Sequence, residues 1–215
     1  MKQDHEYGRT YAQRQIDRQR NPLRKLIKFF YISRILRHIT GPTIDLGCGA
    51  GQILERLPSG SLGIEVNPFL VEDLIQRGLR VFSARESQEG FDLSEVTPHE
   101  FNTLVLSHVL EHFDNADQVL HRLFRDCVSL GISTVIIVVP SEAGFRSDST
   151  HKTFIDIDYL RSKSMIECEG FRMFHHSFFP GNMRFIGKFF VYHELMVVYH
   201  FTQESVSIVN TKYPN

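Results

Sequence analysis

The residues best placed to do chemistry stand in the run DLGCGAG, residues 45–51. Glycines at 47, 49 and 51 permit a tight turn and let a ligand approach the backbone closely. The run follows the short apolar stretch PTIDL and precedes residues 52–57, which read as a helix whose first N–H groups would face the ligand. Eighteen residues beyond Gly47, Glu65 ends a second strand-like stretch, SLGIEV. An acid at that spacing can accept both hydroxyls of a ribose. A dinucleotide loop has the spacing GxGxxG; this one is GxGxG, with Gln52 next. Asp45 would repel a pyrophosphate, but it can accept from an amino group or pair with a cation. The set therefore describes a site for a nucleoside that carries positive charge. A loop made glycine-rich for packing alone is the less favoured reading.

A second group of candidates comes from the eleven histidines. His151, in DSTHKTF, falls after the fifth predicted strand and before a helix, on the ligand side of an open sheet. It is the first candidate for a general base, since imidazole titrates near neutral pH. A structural hydrogen bond to the neighbouring loop is an equal alternative. His112, in LEHF, is a candidate for substrate contact, with a turn-capping role as its alternative. His175, His176, His193 and His200 read as strand or surface positions. His175 and His176 are adjacent in a strand and point to opposite faces, so they do not share one ion. No HExxH or similar spacing occurs, and no metal site is expected.

These residues need a scaffold that brings strand ends together. Strand-like stretches at 42–46, 61–66, 79–84, 101–107, 133–139, 171–179 and 194–202 alternate with helix-like stretches at 68–77, 115–128 and 156–169. STVIIVV, residues 133–139, reads as a strand buried on both faces, as in a parallel sheet. Residues 180–193 read as a loop or short helix, which makes the last strand antiparallel. The expected fold is α/β: a Rossmann-like, doubly wound, seven-stranded, mostly parallel sheet with an antiparallel last strand and an N-terminal helical lid. The expected division is 1–40 for the helical segment, 41–202 for the domain and 203–215 for a tail.

Composition narrows the class. With 42% hydrophobic and 23% charged residues the chain is that of an ordinary globular protein. No apolar run reaches the roughly 20 residues a membrane span needs, and the N-terminus lacks the apolar core of a secretory signal. Cys48, Cys127 and Cys168 are scattered without a CxxC pair, which fits reduced thiols and a cytoplasmic location. Residues 1–40 hold ten Lys/Arg against three Asp/Glu, and the remainder fourteen against twenty-two. A basic segment on an acidic body can attract an anionic substrate or nucleic acid, or simply dock onto that body.

DLGCGAG, SLGIEVNP and NTLVLSHVLEHF together resemble the motifs of class I S-adenosylmethionine (SAM)-dependent methyltransferases, over about residues 40–175. The stretch RGLRVFSARESQEG and the glycine-rich opening resemble the methionine-biosynthesis-associated branch. The resemblance implies that SAM is the cofactor. Asp45, Gly47, Cys48, Gly49 and Gly51 would line its methionine part, Glu65 would hold its ribose, and Val66 would lie beside the adenine. Ser107 and His108 would sit under it. In the family an acid after the third strand meets the adenine amino group; here Arg85 stands near that place with Glu86 next to it, so the contact falls to Glu86 or to backbone. Phe154, three residues after His151, fits an acceptor site. Tyr7, Tyr11 and Arg14 belong to a segment that in the family folds over the cofactor, and Tyr7 and Tyr11, four apart, would share a helix face. Anchoring that helix is their alternative role.

The resemblance implies methyl transfer to an oxygen or nitrogen of a small molecule. The loop of base methyltransferases is absent after the fourth strand, where the sequence is SHVLEH. Two other readings stay open: a SAM-binding regulatory or partner protein without turnover, and an RNA methyltransferase that uses the basic N-terminus. A homodimer is compatible with the aromatic-rich stretch 174–190, as is a wall for an apolar substrate.

Overall fold

The computed structural model describes residues 8–10, 12–13, 22–84, 86–87 and 90–202, with residues 22–28 and 86–87 described by their backbone alone. Its centre is one sheet of eight strands: β1 (Thr43–Leu46), β2 (Leu62–Glu65), β3 (Val81–Ser83), β6 (Thr103–Ser107), β7 (Thr134–Pro140), β8 (Glu167–Cys168), β9 (Phe171–Phe179) and β10 (Glu194–Phe201). The order across it is β3-β2-β1-β6-β7-β10-β9-β8. β4 (Glu86–Ser87) and β5 (Gly90–Phe91) form a separate antiparallel pair.

The pairs from β3 to β7 are parallel, and β10 runs antiparallel to both β7 and β9. This is a Rossmann-like α/β fold. The seven expected strands are present, and β8 adds an eighth at one edge. Every residue of β7 is buried, as its β-branched run implied.

Two helical layers cover the sheet. α1 (Pro22–Leu36) places Tyr31, Ile32 and Ile35 against Val105, Ile136, Val138 and Val198 on one face. On the other face, α3 (Ala116–Leu130) buries Val119, Leu120, Leu123, Phe124 and Cys127, a helical spacing of apolar residues. Phe124 stacks on Phe171 with ring centroids 4.8 Å apart. α3 ends at Gly131, whose φ of 74° is the left-handed C-cap that favours glycine. α2 (Pro68–Gln76) starts where the Asn67 side chain accepts from the N–H groups of Phe69 and Leu70, with Pro68 at the first helical position.

Three local expectations are corrected. Residues 52–57 do not form an α-helix; they hold a single 3-10 turn, Leu54–Arg56. The segment is too short before Pro58 to propagate a helix. The helix expected over 156–169 is α5 (Ile157–Ser162), capped by the Asp156 side chain on Tyr159 N–H. The chain then turns through Ser164 at φ 57° and enters β8. A further short helix, α4 (Glu142–Arg146), follows β7 directly. No helix among the described residues is long and apolar enough to cross a membrane.

Candidate active site

The loop after β1 is built by its glycines in two different ways. Gly47, Gly49 and Gly51 all have positive φ, at 70°, 55° and 80°. A Cβ on Gly47 would stand 2.5 Å from Val109 Cγ2, and one on Gly51 would stand 2.4 Å from Leu74 Cδ2. Those two are glycines because neighbours close in on them. A Cβ on Gly49 would meet nothing within 4 Å, so the loop opens there toward space a ligand can use. With no α-helix behind the loop, its backbone is held by other bonds. Gly47 N–H and Cys48 N–H both donate to Ile64 O, and Arg77 donates to Ala50 O at 3.1 Å.

Glu65 ends β2 and is 6% exposed. Its Oε2 accepts from Gly49 N–H at 2.7 Å, while Oε1 accepts from Val66 N–H and Asn67 N–H at 2.9 and 2.8 Å. The carboxylate is thus fixed rigidly beside the open part of the loop. Cys48 is buried, and burial, with Asp45 and Glu65 nearby, pushes its thiol pKa well up. It is a packing residue at the loop rather than a nucleophile.

Asp45 is 1% exposed, and its Oδ2 has no hydrogen-bond partner. Burial raises its pKa to about 7, with the Glu65 charge adding to the rise. Oε2 of Glu111 and Oε2 of Glu194 are likewise buried without partners. A buried carboxylate oxygen in that state is costly, and such sites are relieved by a cation or a donor. The unpartnered Asp45 oxygen at the glycine loop fits SAM, whose ammonium and sulfonium groups carry positive charge.

Three further side chains meet at the carboxyl end of β6. Tyr31 of α1 hydrogen-bonds Ser107, and burial, together with the charges of Glu194, Asp45 and Glu111, pushes its hydroxyl pKa well up. His108 has φ 58°, a left-handed conformation that costs about 1–3 kcal/mol for a non-glycine residue and clusters at functional sites. Its Nε2 lies 2.9 Å from Glu194 Oε1 and its Nδ1 3.2 Å from Glu111 Oε1. Desolvation pulls the His108 pKa down, but the two carboxylates outweigh it and raise it to about 10.

Beyond Glu111 the chain places His112 and His151 with ring centroids 5.0 Å apart. His151 Nδ1 donates to Phe145 O at 2.9 Å, and its Nε2 stands 3.9 Å from Glu111 Oε1. Phe145 stacks on His151, and its ring lies 5.4 Å from that of Phe154. Phe154 in turn lines a cavity of about 380 Å³, with Ser141, Phe178 and Leu195.

The fold therefore brings together Asp45, Gly47, Cys48, Gly49, Gly51, Glu65 and Val66 at the glycine loop, and Ser107, His108, His112, His151 and Phe154 at the ends of β6 and β7. Tyr7, Tyr11, Arg14 and Arg85 lie outside the described residues; Glu86 lies in β4 with only its backbone described. The described part of the N-terminal segment reaches the loop: Ala12 is buried against Ala50 and Leu70, and the Arg9 guanidinium stands 5.1 Å from the centre of the Phe69 ring. His193 is a buried residue, unlike the surface or strand position expected, and its Nδ1 lies 2.7 Å from Ser141 Oγ. Sequence reasoning passed over Tyr31, Glu111 and Glu194. The metal-ligand spacings it searched for do not include a Glu-His pair joined to a His some forty residues on.

The family model described as "Methionine biosynthesis protein MetW" matches residues 28–145. Among solved structures, the fold is similar to a SAM-dependent methyltransferase from Archaeoglobus fulgidus, at 20% identity over 82% of this chain and 94% of that one, TM-score 0.61. It is similar to magnesium protoporphyrin IX methyltransferase from Synechocystis PCC 6803 with bound SAH, at 13% identity over 93% and 97%, TM-score 0.62. It is also similar to the N-methyltransferase NodS from Bradyrhizobium japonicum WM9 in complex with S-adenosyl-l-homocysteine (SAH), at 15% identity over 85% and 89%, TM-score 0.60. At these identities the likeness is one of fold. No curated protein matches the chain.

Proposed function

The chain belongs to the MetW family, and from that premise we propose that it is a SAM-dependent methyltransferase acting on an oxygen or nitrogen of a small molecule. The observation that carries the reading is the buried Asp45 carboxylate, whose Oδ2 has no hydrogen-bond partner, close to the open stretch at Gly49. Asp45 and the loop at Gly47, Cys48, Gly49 and Gly51 would hold the cofactor's amino-acid end. Glu65, clamped by three backbone N–H groups, would meet the ribose, with Val66 and Glu86 toward the adenine and Ser107 and His108 beneath. When bound, SAM supplies a methyl group on a cationic sulfur.

The chain's own work is then to orient the acceptor and take its proton. The His151 Nδ1–H is committed to the Phe145 carbonyl, which leaves Nε2 as the nitrogen with a lone pair. That is the tautomer a general base needs. Phe154 and His112, with Tyr7 and Tyr11 from the N-terminal segment, would complete the acceptor's surroundings.

A second reading, a SAM-binding partner protein without turnover, is favoured by the exposed aromatic stretch near β10. Phe185 and Phe189 are 60% and 82% exposed, with Phe190, Val191 and Tyr192 close by in sequence. Exposed apolar clusters of that kind mark interaction surfaces. Titration with SAH, followed by assay of SAM turnover in a cell metabolite extract, separates the readings. Binding with SAH production supports the enzyme, and binding without turnover supports the partner role. Failure to bind either SAM or SAH sinks both.

A further inference from the structure

We propose that Glu111, His112 and His151 form a binding site for a divalent first-row transition-metal ion, held by two imidazole nitrogens and one carboxylate. One ligand atom from each residue lies within 4.8 Å of the other two. Ligands about 2.0–2.2 Å from a common ion stand roughly 3–4 Å apart, so a small inward rotation of the rings completes the set.

Hydrogen-bond bookkeeping points to a ligand. The Phe145 carbonyl can only accept, so His151 Nδ1 carries a hydrogen, and in the neutral ring Nε2 carries the lone pair. The Thr150 hydroxyl donates its one hydrogen to Asp148 Oδ1 at 2.7 Å, so it must accept from His112 Nδ1 at 3.2 Å. In the neutral ring His112 Nε2 then also carries the lone pair. Glu111 is fully buried, and its Oε2 has no partner. With both rings neutral, two imidazole lone pairs face the Glu111 carboxylate; His108 Nδ1 lies 3.2 Å from its Oε1, the 3.9 Å from His151 Nε2 to that oxygen is too long for a hydrogen bond, and Oε2 is left without a partner. A cation placed among them would give all three groups a partner.

The surroundings are those of a metal site. Each histidine is oriented through its other nitrogen by a backbone carbonyl or a hydroxyl–carboxylate pair, the usual outer support of metal-bound imidazole. The two chain segments are locked together, since Lys152 N–H and Thr153 N–H both donate to Glu111 O, at 2.7 and 3.1 Å. Two imidazoles and one carboxylate suit zinc, iron, cobalt or manganese, and three protein ligands leave positions for an outside oxygen. An ion here would lower the pKa of a coordinated hydroxyl.

The test uses the full chain, stripped with a chelator and titrated with Co(II), Zn(II) and Mn(II). Visible d–d absorption of cobalt and the heat of zinc binding are the readouts. One ion per chain is expected. His112→Gln and His151→Gln should weaken binding by more than about tenfold, and Thr150→Val, which frees the His112 ring, by roughly tenfold. His175→Gln should leave binding unchanged. Circular dichroism on each variant separates lost ligands from lost fold. Absence of stoichiometric binding, or binding that survives both His112→Gln and His151→Gln in folded protein, overturns the site. SAH titrations on the same samples report the cofactor reading independently, so either can fail alone.

Discussion

Gly49 donates its backbone N–H to the Glu65 carboxylate at 2.7 Å, joining the loop after β1 to the last residue of β2. The bond spans sixteen residues of sequence but only one neighbouring strand pair. It sets the loop's open face and the acid's position together, so a change in one is felt by the other.

The glycines should separate by effect. Gly49→Val adds a side chain into open space at φ 55°, where the left-handed conformation costs about 1–2 kcal/mol. The protein should fold with a modest fall in Tm and lose SAH binding in calorimetry. Gly51→Ala drives a Cβ to 2.4 Å from Leu74 Cδ2 and should lower Tm by more. Micromolar SAH affinity retained in Gly49→Val would remove the loop from the site.

Asp45 makes ligand binding depend on pH. Its pKa of about 7 lies above the roughly 3.9 of an unfolded aspartate. The folded, ligand-free chain therefore holds an extra proton between about pH 4 and 7, and its stability falls as pH rises through that window. At about 1.4 kcal/mol per pH unit the full loss is on the order of 4 kcal/mol. The ligand's ammonium group needs the carboxylate, so SAH affinity should rise from pH 5.5 to 7.5 with proton release, measured in buffers of different ionisation heat. Asp45→Asn should bind SAH weakly with a flat pH profile, yet melt higher than the parent at pH 8. A parent-like pH dependence in that variant would refute the assignment.

The His108 pair works in the same direction but over a higher pH range. Its pKa is raised to about 10, so its stabilising interaction is complete below about pH 6.5 and disappears as pH climbs through 10. With the His108 side chain 38% exposed, solvent screening leaves about 1 kcal/mol. Glu194→Gln should melt lower than the parent near pH 7, and the gap should close toward pH 10. A constant gap across that range would count against the pair.

His151→Ala should reduce turnover of SAM by about 100-fold or more, as expected for loss of a group that acts on a proton. SAH affinity should stay within a few-fold of the parent, because the ring stands among Phe145, His112 and Glu111 instead of at the glycine loop. Unchanged turnover, measured on folded protein, would exclude it from the chemistry.

The elements that local patterning controls were legible in the sequence. β7 could be found from six consecutive β-branched residues, 134–139, and α2 from Asn67 and Pro68 at its start. Local patterning failed where competing signals lie close together. Met165 and Ile166 continue the helical spacing of α5, but Ser164 turns out of it at φ 57°. After the glycine loop, six residues before Pro58 sustain only a 3-10 turn. Tyr31 and Glu194 were invisible for a different reason. One lies on a helix face and the other at a strand start, and only the sheet order brings them to His108 and Ser107.

The place of β10 has a consequence for synthesis. It is the last strand of the sheet in sequence, yet it lies between β7 and β9. Until it arrives, β9 has only the two-residue β8 as a neighbour, and the inner edge of β7 is bare. Both edges present unpaired backbone ready to pair with other chains, and that of β7 is apolar as well. The first residue of β10, Glu194, also supplies the second carboxylate for His108. A nascent chain therefore carries an aggregation-prone gap until residue 201 emerges, and the act that closes the gap also completes the site.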